Sequence, residues 1–411
     1  MRYMSHAAAA LLATIAACSA SGAEDPPSPN AGEDGGAPVV DAGGVEEEDA
    51  TAVDPIPDAG VPDAERPLIC GDAGFCETKL PASETGLPLS LQSVWVVASN
   101  DVWSVSADGL VLHYDGAAWK TEFRANHALS VVWATATSVW VGGELGLLLN
   151  RNAAGKWSLV ETGHTSNLRS ISGRGDADVW FSSDDGHVDH YDGTALRPHP
   201  IDIADLRVMT VFSGPSATYA AGYVNGPPAP LAVAKPPNRY PYVLELTADG
   251  ATVFNAALPT TTAVKGFVPV SAQVTDAPSE SDRIFLFGYL YSGNPYYDRF
   301  DLKGRNMRLG PSSPIRLNEL SVPNGRTSWN GTEAVPPPRQ PMWAKDWSNV
   351  LLPFSEPYVY IQIMRWNGSA FTPGSVAMGR DFVPREVFGI HGNGAESWLV
   401  GNGFALKGPT P

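Results

Sequence analysis

The sequence predicts an all-β fold: a seven-bladed β-propeller of four-stranded antiparallel blades, closed by an N-terminal strand that completes the last blade. Three observations predict it. A unit of 38 or 39 residues recurs from Leu91 onward. The 411 residues are rich in Gly (41) and Pro (36), with only 17% charged residues, which suits many short strands and turns better than long amphipathic helices. The last unit runs out near Lys407-Gly408 before a fourth strand, while residues 77–90 precede the first unit with no partner of their own.

Three units superimpose directly, starting at Leu91, Leu129 and Leu168. Each opens Leu-x-x-[Val/Ile], as in Leu91/Val94, Leu129/Val132 and Leu168/Ile171. Then come Asp101-Val102-Trp103, Ser138-Val139-Trp140 and Asp178-Val179-Trp180. A Gly lies six residues after each Trp (Gly109, Gly146, Gly186), and His113, Asn150 or His190 four after that. In the first unit, Leu91, Val94 and Trp95 begin strand A. Val102 to Ser106, rich in β-branched and aromatic residues, form strand B. After Asp108-Gly109, Leu110 to Tyr114 form strand C; Asp115-Gly116 turns again into strand D, Trp119 to Phe123. Four strands in such a length match a propeller blade.

Weaker copies follow, with Tyr219 and Phe285 in the Trp position and Trp398 in the last. The starts fall near 91, 129, 168, 206, 264, 317 and 384. The strand around Glu77 to Leu80 supplies the missing outer strand of the last unit, leaving no open sheet edge.

The N-terminus reads as an address and a tether. Arg2 precedes an apolar stretch, Ala7 to Ala17, of signal-peptide length. It ends Ile15-Ala16-Ala17-Cys18, which resembles the bacterial lipobox. The resemblance implies cleavage before Cys18 and its acylation, palmitate included, and a membrane anchor through that lipid. Ser19 after the Cys implies an outer-membrane lipoprotein, on the periplasmic or the surface side. Residues 19–67 hold 13 acids and one base, with few large apolar side chains, so a disordered acidic linker is expected there. It carries most of the net charge of −17. Residues 68–411 form the propeller domain. No apolar run approaches the ~20 residues of a membrane span. Cys70 and Cys76 enclose a turn-forming segment, and in an exported chain a disulfide between them is expected.

The pattern Leu-x-x-Val-Trp, Asp-Val-Trp, Gly, then His-Tyr-Asp-Gly-x-x-Trp resembles the repeats of myxobacterial-type lipoproteins. It is also similar to BNR-like propellers of the photosystem II assembly-factor group. The resemblance implies the fold and little about activity. The Ser-x-Asp-x-Gly-x-Thr-Trp box of sialidase propellers is nowhere intact; Asp115-Gly116-Ala117-Ala118-Trp119 falls one residue short.

No nucleophile elbow, phosphate-binding loop or metal-ligand spacing is present, so no catalytic residue, metal or cofactor is assigned. His187 and His190, three apart on a strand, point to opposite faces, which disfavours a shared metal. The acidic balance excludes nucleic acid as main partner. The fourth to sixth units stretch to 58, 53 and 67 residues, with Pro- and aromatic-rich segments at Tyr223 to Tyr242, Tyr289 to Phe300 and Pro336 to Trp347. The candidate binding residues are Tyr223, Tyr240, Tyr242, Tyr291, Tyr296, Tyr297, Trp343 and Trp347, rigid aromatics suited to a protein or glycan ligand. The expectation is a monomeric, non-catalytic binding or scaffolding propeller tethered to the bacterial envelope. The alternative is a hydrolase or lyase acting on envelope polysaccharide.

Overall fold

The computed structural model describes residues 70–71, 73–226, 239–260, 266–275, 284–293, 300–309, 316–319, 342–346, 348–355, 361–367, 369, 371–376 and 386–409. Cys18 and the 19–67 linker lie outside the described residues.

The chain opens with β1 (Cys76–Thr78). Blade 1 is β2 (Leu91–Ala98), β3 (Asp101–Ser106), β4 (Leu110–Tyr114) and β5 (Trp119–Arg124). Blade 2 is β6 (Leu129–Ala134), β7 (Val139–Gly143), β8 (Leu148–Arg151) and β9 (Trp157–Leu159). Blade 3 is β10 (Leu168–Gly175), β11 (Asp178–Ser183), β12 (Val188–Tyr191) and β13 (Leu196–Pro198). Blade 4 is β14 (Leu206–Ser213), β15 (Thr218–Asn225), β16 (Arg239–Thr247) and β17 (Gly250–Val253). Blade 5 is β18 (Phe267–Val274), β19 (Ile284–Gly293), β20 (Phe300–Leu309) and β21 (Arg316–Glu319). Blade 6 is β22 (Trp343–Asp346), β23 (Asn349–Ser355), β24 (Ile361–Trp366) and β25 (Phe371–Val376). Last come β26 (Val387–Gly392), β27 (Glu396–Gly401) and β28 (Phe404–Pro409).

The expected set of seven repeated blades is corrected by this strand order. Six four-stranded antiparallel blades are each built from consecutive strands. The remaining sheet, in the order β1-β28-β27-β26, is a composite of three C-terminal strands and the N-terminal one. The start near 384 therefore opens only three strands, and the edge of β28 is satisfied by Cys76↔Lys407, Glu77↔Leu406 and Thr78↔Ala405. The start near 317 is also displaced. Leu317 lies in β21, the outer strand of blade 5, paired with Met307. Blade 6 begins at Trp343 instead. A Leu followed by polar residues suits an outer strand as well as an inner one, so the motif alone could not separate them.

The first strand of each blade neighbours the first strand of the next, so these form the inner ring. The core is not one mass but a cluster at each junction. Trp103, Val105, Val132 and Val141 join blades 1 and 2; Val131, Trp140, Ile171 and Phe181 join blades 2 and 3. Trp398 and Val400 pack with Leu91 and Val94 where the composite sheet meets blade 1. Strands alternate their side chains between two faces, and each blade is covered on both, so the central strands read almost continuously apolar.

Because neighbouring strands run antiparallel, the turns between second and third strands and the connections from one blade to the next emerge on the same face. The 108–109 turn depends on glycine: Gly109 has φ +81, and a Cβ there would fall 2.5 Å from the Ala125 carbonyl oxygen. Among the described residues no helix is long and apolar enough to cross a membrane. Cys70 and Cys76 form the disulfide at the entrance to β1.

Candidate functional site

The recurring Asp, Trp and His are brought together by strand pairing. Trp103 pairs with His113, and Trp180 with His190, across adjacent strands. Trp103 Nε1 donates to Asp101 Oδ1 at 2.7 Å, His113 Nε2 lies 3.0 Å from the same oxygen, and the two rings stack at 4.3 Å. Blade 3 repeats this with Trp180 Nε1 (2.7 Å) and His190 Nε2 (2.9 Å) on Asp178 Oδ1, rings 3.9 Å apart. The composite sheet substitutes Glu396 and Lys407: Trp398 Nε1 donates to Glu396 Oε1 at 2.8 Å, and Lys407 Nζ sits 2.8 Å from Glu396 Oε2. Burial pushes Asp178 and Glu396 up, but the bonds from His190 and Arg174, and from Lys407 and Trp398, outweigh it and hold both below ordinary values. Blade 2 has Ser138 and Asn150 at these positions; they bond each other at 3.0 Å, and Trp140 Nε1 is left buried without a partner among the described residues. These groups tie a blade's edge together. His190 is committed to this clasp, while His187 is exposed and paired with Asp185.

At one register of the inner ring stand Trp95, Trp133, Ser172, Phe212, Gln273, Trp343 and His391. Several bond the next inner strand: Ser172 Oγ accepts from Ser213 N at 2.9 Å, Gln273 bonds both Ala344 N and O at 2.6 Å, and His391 Nδ1 accepts from Val96 N at 3.0 Å. His391 also stacks on Trp95 at 3.8 Å. By surface area His391 is only half-buried, yet it sits inside the ring, and dehydration pushes its imidazole down to about 3 from 6.5. Between those values the unfolded chain binds a proton that the folded chain does not, so stability falls as pH is lowered through this window. A fully dehydrated ring would lose roughly 5 kcal/mol at the limit, and the part of the ring that water reaches brings the expected loss to about 3 kcal/mol. His391→Gln keeps an acceptor for Val96, and urea midpoints of that variant should fall less steeply between pH 6.5 and about 4.5. A slope equal to that of the unmodified chain would place the acid sensitivity elsewhere.

The aromatic candidates are dispersed. Tyr223 lies in β15 with its side chain buried under Arg239, whose guanidinium sits 5.0 Å from the ring. Tyr240 and Tyr242 are half-buried in β16, opposite Val224 and Gly222. Tyr291 is in β19, its side chain outside the described residues, as are Tyr296, Tyr297 and Trp347 entirely. Trp343, expected in an inserted loop, is instead an inner-strand residue only 3% exposed, packed with Leu351 and Ile390. Its ring fills a blade junction, which is why a large aromatic stands there.

What the insertions do lengthen is the pair of central strands: β15 and β16 have 8 and 9 residues and β19 and β20 have 10 each, against 6 and 4 in β11 and β12. The ends of β15 and β19 and the starts of β16 and β20 lie on the face that carries the connections between blades. On that face a cleft of about 410 Å³ opens among blades 2, 3 and 4. His164, Asp189 and His199 line it together with Ile201, Ile203 and Leu206. His164 Nε2 donates to Asp189 Oδ2 at 3.0 Å. His199 bonds the Gly250 backbone, and burial pushes its pKa below the ordinary value. Nearby, Leu145 is 60% exposed with φ +55, an arrangement that a non-glycine apolar residue rarely adopts on a surface.

Sequence inspection marked His187 and His190 but passed over Asp189 between them. The signal was in the repeat: strand pairing puts Asp189 opposite Phe181, where the earlier blades place Leu112 opposite Ser104 and Leu149 opposite Val141.

No family model matches the chain, and no curated protein matches its sequence. Solved structures match its shape. YCF48 bound to a D1 peptide is 13% identical, with a TM-score of 0.52 over 84% of this chain and 99% of that one. YCF48 from Cyanidioschyzon merolae is 14% identical, with a TM-score of 0.52 over 82% and 99%. The WD40 repeats of RRP9 are 9% identical, with a TM-score of 0.54 over 84% and 100%. The fold is a β-propeller. At such identities the likeness to YCF48, a photosystem II assembly factor, holds for the fold alone.

Proposed function

We propose that this chain is an envelope lipoprotein whose propeller binds a protein partner, without transforming it, on the face that carries the cleft. The observation that carries this reading is the gathering on one face of the cleft, the exposed Leu145 and the strand ends of the lengthened β15/β16 and β19/β20 pairs. Concave apolar surface with a few convergent polar groups is what binding sites are made of. That a YCF48 propeller holds a D1 peptide supports a peptide ligand for this architecture. The tether rests on Ile15-Ala16-Ala17-Cys18 and the acidic stretch behind it.

A protein partner fits the electrostatics better than a neutral glycan does. The connections around the cleft, 144–147, 160–167, 184–187 and 199–205, contain Glu144, Glu161, Asp184, Asp185, Asp202 and Asp205 and no Lys or Arg. Such a rim steers a basic partner and lowers its affinity at high salt. The test is affinity capture from envelope extracts at low salt, comparing the unmodified chain with one whose residues 227–238 are replaced by a short Gly-Ser turn. A protein captured by the first and lost from the second is expected. In the same cells Cys18→Ser should end palmitate incorporation and release the chain from the membrane fraction. Equal capture by both forms, or palmitate labelling that persists in the variant, would count against the corresponding half of the reading.

A further inference from the structure

The connection from blade 3 to blade 4 is built with two faces. Ile201 and Ile203 are half-buried, while Asp202 between them and Asp205 after them are exposed. Leu206 N donates to the Ile203 carbonyl at 3.3 Å, and Asp205, with φ +59, closes that turn in the left-handed region that Asp tolerates. The turn sets Leu206 beside Ile203, and the three aliphatic side chains pack on one cluster with Trp180, Val188 and Val208. They therefore share the side of blade 3 that faces blade 4. Each also lines the cleft and none is fully buried, so this half of the cleft is aliphatic surface left partly in water. Its lips are acidic. Asp202 and Asp205 stand along one, and Glu161 on the other, where it precedes the wall residues Thr162 and His164. Among the described residues no ion pair engages these three carboxylates, whereas Asp184 and Asp185 are paired with Arg169 and His187.

We propose that this half of the cleft seats an aliphatic side chain which the protein partner presents between two basic residues. The wall dictates the side chain. Ile201, Ile203 and Leu206 offer close contact and no hydrogen-bonding group, so a polar side chain entering there would give up its water for nothing. An aliphatic one removes apolar surface from water on both partners. The lips dictate its neighbours. A segment that crosses the cleft with one side chain inserted leaves the residues before and after it over the two lips. Unpaired carboxylates on both sides favour Lys or Arg at those places, pairs that add on-rate and salt dependence more than affinity. The nearest base does not neutralise the lip: Arg207 alternates with Leu206 and Val208 along β14 and so faces away from the cluster they join. The same acids repel an anionic lipid surface, which leaves a basic protein segment as the occupant.

This assignment rests on the reading of the cleft face as a partner surface and names the kind of segment that surface selects. The probe is the peptide acetyl-Lys-Arg-Leu-Arg-Lys-amide, titrated into the full chain at low salt with the isoleucine δ-methyl groups followed by NMR. Saturable shifts of the Ile201 and Ile203 signals are expected, with Ile363 and Ile390, buried where blade 6 meets the composite sheet, unmoved. Glutamine in place of the peptide's leucine should weaken binding at least about tenfold at unchanged charge. In the chain, Ile203→Ser should cost a similar factor, the Ile363 and Ile390 signals reporting that the blades remain intact. Asp202→Asn with Asp205→Asn keeps the turn, since Asn also adopts positive φ, and should both weaken binding and flatten its salt dependence. Absence of saturable shifts, equal binding of the glutamine peptide, or undiminished binding by both variants would overturn the assignment. Capture through 227–238 is read separately, so loss of the aliphatic seat leaves the partner surface itself still standing or falling on its own test.

Discussion

Deleting residues 70–79 is expected to destabilise the folded chain by on the order of 5 kcal/mol. The segment is small, but it closes the ring. Phe75 is 1% exposed and lies so close to Gly408 that a Cβ there would fall 2.4 Å from its Cδ1. Thr78 Oγ1 donates to the Ala405 carbonyl at 2.8 Å and accepts from Trp119 Nε1 at 2.9 Å, which links the composite sheet to blade 1. The Cys70–Cys76 disulfide restrains the approach to β1, worth about 2 kcal/mol in the chain-entropy model. Without β1 the row of backbone groups on β28 becomes an open edge, which invites pairing between chains. Urea denaturation of the shortened chain should show a much lower midpoint, and light scattering should show association. An unchanged midpoint would mean that the ring is held shut elsewhere.

Trp398→Ala is expected to cost about 4 kcal/mol. The indole is fully buried between Tyr114, 4.9 Å away, and Trp119, 5.3 Å away edge-on. It also holds one end of the Glu396–Lys407 pair, with the ammonium 5.7 Å from its ring. Truncation removes packing from two sheets at once and leaves a buried carboxylate one bond short. Trp398→Phe separates the two contributions, since it keeps most of the volume and loses the N–H donor; roughly 1–2 kcal/mol is expected. Trp140, whose N–H has no partner among the described residues, should tolerate the same change to Phe with a smaller loss. Equal losses at the two sites, measured by chemical denaturation, would show that the Asp/Glu clasp adds nothing to the packing.

The strands of blade 1 were legible almost residue by residue. Val102 to Ser106 and Leu110 to Tyr114 lie in strands Asp101–Ser106 and Leu110–Tyr114 because β-branched runs flanked by Asp-Gly turns leave few alternatives. Blades 5 and 6 were not. There the Trp is replaced by Phe285 or Leu351, and Leu317 imitates an inner-strand start from an outer strand. Trp343 looked like a loop aromatic for the same reason, since a lone Trp among Pro-rich sequence carries no mark of the junction it fills. The cleft was hidden for a different reason. His164, Asp189 and His199 belong to the connection after β9, the strand β12 and the connection after β13, and only blade packing brings them together.

The sequence by itself determined the local alphabet of this protein: four short strands per unit, an Asp-Val-Trp and a His at recurring offsets, and glycine at the tight turns. Those properties depend on residues within one repeat length, where periodicity and turn chemistry act directly. The tertiary structure alone decided that six blades come from consecutive strands, that blade 6 opens at Trp343 and not near 317, and that an Asp in a leucine's place meets His164. Each of these joins residues that no repeat relates, so it is settled by which surfaces bury one another once the ring has closed.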